Sequence, residues 1–233
     1  MQKKVTQLPA MPVPSPRQGF LSKEGLYEGI LGLKERLRMN TKLSAAARGE
    51  DKAGNLDGAA TVYHGMSELQ QRKTLDSIDT RLAPISLSAT PSKQEITEAE
   101  VLTEFVSRTA GHPPADLRDE SHDAIKARLV SIAKDKVLSS KPDCDTLRMS
   151  CIRALLRMGF TDSGFWSHIL EDERIRDFTI TKLLGSPLLA GWPILKQSLW
   201  NESIAVSVAD STSASKIDFF LSALSDADPS VVR

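Results

Sequence analysis

Helix start and stop signals from residue 96 onward constrain the fold more than any other sequence feature. Thr97 and Glu100 have the spacing of a capping box, which predicts that a helix begins at residue 98. Gly159 predicts a helix end at which Phe160 folds back onto Leu155. No series of strand-like segments with turn signals competes with this pattern. The sequence therefore predicts an all-α fold.

Apolar residues at helical spacing predict further helices joined by short loops, an arrangement that is typical of stacked helix pairs. The predicted helices are 23–39, 60–81, 98–111, 121–138, 145–159, 162–170, 173–184, 192–200 and 216–224. The segments predicted to be non-helical between them include 44–58 and 83–94. We expect three parts: a disordered arm at 1–21, a loosely packed helical region with linkers at 22–94, and a compact helical domain at 95–233.

The first predicted helix has an apolar pattern but a weak backbone. Its apolar residues recur at helical spacing: Leu26, Ile30, Leu33 and Leu37. Three glycines in the same segment each cost up to about 1 kcal/mol relative to alanine. We therefore expect this helix to form only when it packs against something, which could be a partner protein.

The N-terminal arm contains four prolines within its first 20 residues, and these favour an extended, solvated segment. Its lack of acidic residues also fits an organellar transit peptide, although the prolines would interrupt the amphipathic helix of such a peptide. A plain flexible tail is the favoured interpretation.

Charge, cysteines and hydropathy exclude several classes of protein. Thirty basic and thirty acidic residues cancel, so the chain as a whole has no positive field that would attract nucleic acid. Cys144 and Cys151 are seven residues apart on one predicted helix, a rise of roughly 10 Å, which is too far for a disulfide. We therefore expect an intracellular, reducing compartment. We expect neither a membrane span nor a conventional secretory signal.

No motif predicts catalysis. The chain lacks a phosphate-binding glycine loop and a nucleophile elbow, and its histidines are scattered over different predicted elements. Cys151 is predicted to be a core residue and Cys144 a loop thiol. We expect no metal, no cofactor and no enzymatic activity.

Large aromatic residues are the first candidates for a binding surface, because they dominate both protein interfaces and protein cores. Adjacent positions on a helix point about 100° apart, so one ring of the pair 165–166 could be exposed for a partner. The alternative is that these rings form the core of the C-terminal half. The protein-binding candidates are Phe165, Trp166, Trp192, Trp200, Phe219 and Phe220.

Basic residues on the predicted helices 145–159 and 173–184 are candidates for contacts with phosphate groups. The alternative is that they form the solvated faces of amphipathic helices, and we favour it. The nucleic-acid-binding candidates are Arg148, Arg153, Arg157, Arg174, Arg176 and Lys182.

Two segments resemble known helical repeats. In residues 145–170, an Ala-Leu pair, a Gly-Phe turn and a second helix with Trp166 and Leu170 resemble one unit of the FAST-kinase-like and octotricopeptide repeat proteins. Residues 217–233 are similar to the turn between the helices of a HEAT repeat. Both resemblances imply stacked helix pairs that present a binding surface.

These observations predict a non-enzymatic interaction or scaffold protein whose partner is another protein. The resemblances suggest a subunit of a larger organellar or ribonucleoprotein assembly, with a mitochondrial or other organellar location and possible RNA contact. The alternative is a secreted bacterial effector or secretion regulator that binds a host or bacterial protein. A proline- and serine-containing arm ahead of a helical domain also fits export.

Overall fold

A computed structural model describes residues 23–88, 90–110 and 120–184, and this described part contains helices and no strand. The all-α prediction is confirmed. The predicted arm 1–21 and the predicted helices 192–200 and 216–224 lie outside the described residues. In chain order the helices are α1 (Lys23–Ala47), α2 (Lys52–His64), α3 (Glu68–Leu87), α4 (Lys93–Thr109), α5 (Glu120–Lys134), α6 (Lys136–Ser139), a 3₁₀ turn (Pro142–Cys144), α7 (Asp145–Arg157), α8 (Ser163–Glu171) and α9 (Glu173–Leu184).

The linker predicted at 44–58 is wrong, because this segment holds the end of α1 and most of α2. Small residues end α1, and Ala46 is buried. Asp51 then caps α2, and its carboxylate accepts a hydrogen bond from the Gly54 N–H at 3.3 Å. The polar composition of this stretch hid the start of an apolar pattern: Leu56, and then Tyr63 two turns later in α2, face the core.

The loop predicted at 83–94 is mostly helical as well. Helix α3 continues through Pro84 to Leu87, and the buried Ile85 offsets the backbone hydrogen bond that the proline cannot make. The capping box of α4 is formed by Ser92 and Glu95, whose side chains bond to each other's backbone N–H at 3.2 and 2.7 Å. Thr97 therefore lies one turn inside the helix, where its hydroxyl donates to the Lys93 carbonyl at 2.9 Å.

The helix end predicted at Gly159 is confirmed. Gly159 has φ +68, the left-handed conformation that a glycine adopts without a Cβ penalty. The Phe160 N–H donates to the Leu155 carbonyl at 3.0 Å and the Gly159 N–H donates to the Leu156 carbonyl at 3.1 Å. These are the two hydrogen bonds of a Schellman motif. They turn the chain from α7 into α8, which packs on α9 and α5 rather than along α7.

The helices share one apolar core. Helix α4 packs on α2 and α7, α5 packs on α3 and α7, and α1 packs mainly on α2. The buried core residues extend along the chain from Met39 in α1 to Leu183 in α9. Residues on both sides of position 94, where the sequence predicted a domain boundary, therefore contribute to the same core. None of the described helices is long and apolar enough to cross a bilayer.

Candidate protein-binding site

Helix α1 exposes apolar side chains on the face that points away from the core. Ile30, Leu31, Leu33 and Leu37 are 68%, 47%, 51% and 59% exposed, respectively. The opposite face of the helix carries Met39, which is buried. Singly exposed leucines are normal on protein surfaces, but a cluster on one helix face is a candidate for a docking surface. We call Ile30, Leu33 and Leu37 the α1 stripe.

The α1 stripe has the spacing of a coiled-coil seam. Ile30, Leu33 and Leu37 are separated by three and then four residues, so they fall at successive a, d and a positions of a heptad. In this register Lys34 occupies an e position and Arg36 a g position, so a cation borders the stripe on each side. A helix face of this kind can pack along a second helix.

A groove lies beside the α1 stripe, between α1 and α3. It has a volume of about 150 Å³, and Leu33 and Leu37 form part of its wall. Two of its lining residues, Arg36 and Arg81, are basic, and none of its lining residues is acidic. The side chain of Gln70 covers Gly32, where a Cβ would lie 2.3 Å from it. A second, larger groove of about 400 Å³ lies on the other side of α1, against α2.

The cations around the α1 stripe have no acidic partner within the described residues. Lys34, Arg36 and Arg38 make no hydrogen bond or ion pair there. The Arg36 Nε is buried and has no hydrogen-bond partner in this part of the chain. Arg81 differs, because its guanidinium is held by Glu98 at 2.8 Å.

Every other arginine of the described residues has a partner. Surface and groove arginines pair with carboxylates, as Arg48 does with Glu50 and Arg128 does with Asp79. Arg157 donates instead to the Ser107 carbonyl at 3.0 Å. The full set of partnered arginines is Arg48, Arg72, Arg81, Arg108, Arg128, Arg148, Arg153, Arg157, Arg174 and Arg176. Among the arginines of the described residues, Arg36 and Arg38 are therefore the exceptions.

The most buried of the nucleic-acid candidates, Arg148, is part of the core. Its side chain is 2% exposed, its Nε donates to the Ala133 carbonyl at 3.1 Å, and one Nη donates to Asp172 at 2.7 Å. Burial alone would raise the pKa of Asp172. The hydrogen bonds from the Arg148 guanidinium and the Arg174 N–H lower this pKa by more than burial raises it, so it lies below its ordinary value. Arg148 therefore joins α7 to α5 and to the junction between α8 and α9. Its other Nη is buried without a hydrogen-bond partner in the described residues, so the guanidinium is inaccessible to a phosphate.

The remaining basic candidates are divided among separate internal contacts. Arg174 bonds Asp145 at 2.6 Å, and Arg176 donates to the Leu170 carbonyl at the end of α8 at 2.8 Å. Arg153 and Lys182 lie over the ring of Phe178, at 5.8 and 5.6 Å from its centroid. These residues do not form one continuous phosphate-binding surface.

Both described aromatic candidates are buried. Phe165 and Trp166 are 3% and 0% exposed, and their ring centroids are 4.9 Å apart. The Trp166 indole donates to the Phe160 carbonyl at 3.1 Å, which ties α8 to the turn at the end of α7. The other aromatic candidates, Trp192, Trp200, Phe219 and Phe220, lie outside the described residues.

Both cysteines are buried free thiols in the core. Cys144 lies at the end of the 3₁₀ turn and, although it was predicted to be a loop thiol, it is inaccessible. Burial raises the pKa of both thiols, which keeps them protonated. No group of metal-ligating side chains occurs in the segments that the structure describes.

Within the described residues, the structure is a helical array in which α1 exposes an apolar face bordered by cations. No family model, no curated protein and no solved structure matches this chain.

Sequence analysis allowed a partner protein for this helix, but it did not include the α1 stripe among the candidate site residues. The apolar spacing of Ile30, Leu33 and Leu37 was recognised as one face of a helix. A helical pattern shows which residues share a face, but not whether that face is turned to the core. The structure shows that it is turned away.

Proposed function

We propose that this protein is a non-enzymatic interaction protein that binds another protein through the α1 stripe. The exposure of Ile30, Leu33 and Leu37 on one helix face carries the proposal. Outside α1, the only exposed large apolar side chains of the described residues are Leu69 and Val137. The shared core supports a scaffold role, because it holds the C-terminal half of α1 through Met39 and Leu43 while the stripe stays accessible.

The two settings expected from the sequence, an organellar assembly and an exported effector, both use such a docking face. Fusing residues 1–25 to a reporter distinguishes them, because import into an organelle and export through a secretion apparatus are different outcomes. RNA binding has weaker support, because the described arginines of the predicted basic row are occupied by internal contacts.

Affinity purification from the native source tests the proposal. The bait is the full chain, compared with its Leu33→Ser/Leu37→Ser variant and with a Val137→Ser control, which changes an exposed apolar residue on α6. We expect at least one protein to be lost from the double variant and retained by the control. Because the changed side chains are exposed, stability should stay within about 0.5 kcal/mol of the parent. An identical set of captured proteins for all three baits would contradict the proposed function.

A further inference from the structure

We propose that the partner of the α1 stripe is an acidic amphipathic helix, which packs along α1 as the second helix of a short coiled coil. This inference deepens the proposed function and rests on it. It identifies the chemistry of the partner from two independent observations: the heptad spacing of the exposed apolar residues and the unpaired cations beside them.

The apolar spacing specifies a helical partner. Ile30, Leu33 and Leu37 extend over two turns of α1, roughly 10 Å of rise, and form a narrow seam. A helix that presents leucine-like residues at its own a and d positions fills such a seam by knobs-into-holes packing. A bilayer would require a wider apolar face, and here a cation stands directly beside the seam on each side.

The charges specify an acidic partner. In a coiled coil, residues at e and g positions pair across the seam and decide which helices associate. On α1 these positions are Lys34 and Arg36, and Arg38 adds a third exposed or partly exposed cation. The only carboxylate among them is Glu35. Aspartate or glutamate at the partner's e and g positions would give these cations the ion pairs that they lack within the described residues.

The same charges disfavour a second copy of this chain. In a parallel pair of α1 helices, Arg36 would face Thr41 and Lys34 would face Gly29 of the other copy, so neither cation would gain an acidic partner. In an antiparallel pair, e positions face e positions and g positions face g positions, which brings Lys34 or Arg36 next to the same cation of the other copy. Such like-charge contacts are unfavourable and select against self-pairing. A heterotypic complex is therefore the arrangement that satisfies both the seam and its flanks.

Fluorescence anisotropy with synthetic peptides and the full chain tests the inference. The probe is a labelled three-heptad peptide with leucine at a and d and glutamate at e and g; a matched peptide carries lysine at e and g. We expect the acidic peptide to bind at least tenfold more tightly than the lysine peptide. In the Arg36→Glu/Arg38→Glu variant this preference should reverse.

A matched control applies the same charge change elsewhere. The Lys134→Glu/Lys136→Glu variant alters two exposed lysines on α5 and α6 and should keep the preference for the acidic peptide. Circular dichroism establishes that all variants are folded. Leu33→Ser/Leu37→Ser should reduce binding of the acidic peptide at least tenfold.

Several results would overturn the acidic-helix inference. These are equal binding of both peptides, an unchanged preference in Arg36→Glu/Arg38→Glu, or no binding of either peptide. If neither peptide binds and the chain associates through Leu33 with vesicles of phosphatidylcholine and phosphatidylserine, the stripe is assigned to a membrane. If neither peptide binds and the chain dimerises through Leu33 in sedimentation, the stripe is assigned to a second copy. Peptide binding that requires deletion of residues 216–224 would assign it to that segment. If a protein is still captured through Leu33 and Leu37, the acidic helix is rejected and the proposed function stands.

Discussion

Replacing Arg148 by methionine tests whether this arginine is a structural residue. The change keeps most of the apolar stem and removes the guanidinium that bonds Asp172 at 2.7 Å and the Ala133 carbonyl at 3.1 Å. Removing one partner of a buried ion pair costs about 3–5 kcal/mol. The Asp172 side chain is 22% exposed and retains the Arg174 N–H at 3.1 Å, so solvent and this bond offset part of the loss. We expect a net destabilisation of about 2–3 kcal/mol.

Urea unfolding monitored by circular dichroism measures this difference, and thermal melting should show a decrease in Tm of about 5–10 °C. The control is Arg38→Met, the same substitution at an arginine without a partner in the described residues, which should stay within about 0.5 kcal/mol of the parent. Equal stability of Arg148→Met and the parent would refute the structural role. It would return Arg148 to the candidates for ligand binding.

The pH dependence gives a second check on the same pair. The pKa of Asp172 is lowered in the folded state, so its ionised form contributes stability above the unfolded-state pKa. That contribution is lost as the pH falls through the folded-state pKa. Because Arg148→Met already lacks most of it, the stability difference between parent and variant should narrow in acid. A difference that stays constant from neutral pH to the acid limb would contradict this assignment.

Three further predictions concern the core and its edges. Gly159→Val should destabilise by about 1–2 kcal/mol in urea unfolding, because a β-branched residue resists φ +68; a parent-like midpoint would contradict the Schellman end. Trp166→Phe should lower the free energy of unfolding by about 2–3 kcal/mol in the same assay, because it leaves a cavity and removes the 3.1 Å hydrogen bond to the Phe160 carbonyl. A decrease of less than about 0.5 kcal/mol would argue against this packing. Burial raises the pKa of Glu100, so the contribution of this carboxyl group to stability decreases as the pH rises through that pKa. Glu100→Gln should therefore stabilise the protein by up to about 0.5 kcal/mol at pH 7 and not in acid. Equal effects at both pH values would refute burial as the cause of the raised pKa.

The amino-acid sequence alone determined the helical class and the features that depend on neighbouring residues. The turn at Gly159 follows from the need for a left-handed residue after α7, a need that glycine meets in any surroundings. The capping residues were harder to assign, because Ser92 with Glu95 and Thr97 with Glu100 satisfy the same spacing rule. The structure selects the first pair, and the rule alone could not.

Tertiary packing decided what each helix face does. Phe165 and Trp166 are both buried because they pack with Phe160 at the turn between α7 and α8, whereas their sequence positions allowed one of them to be exposed. The sequence pattern indicates a surface cation at Arg148, but this arginine meets Asp172, which lies between α8 and α9, 24 residues further along the chain. Burial is a property of contacts between distant segments, so periodicity alone cannot assign it. For the same reason, only the assembled array shows that the seam of α1 faces solvent while Met39 on its opposite side faces the core.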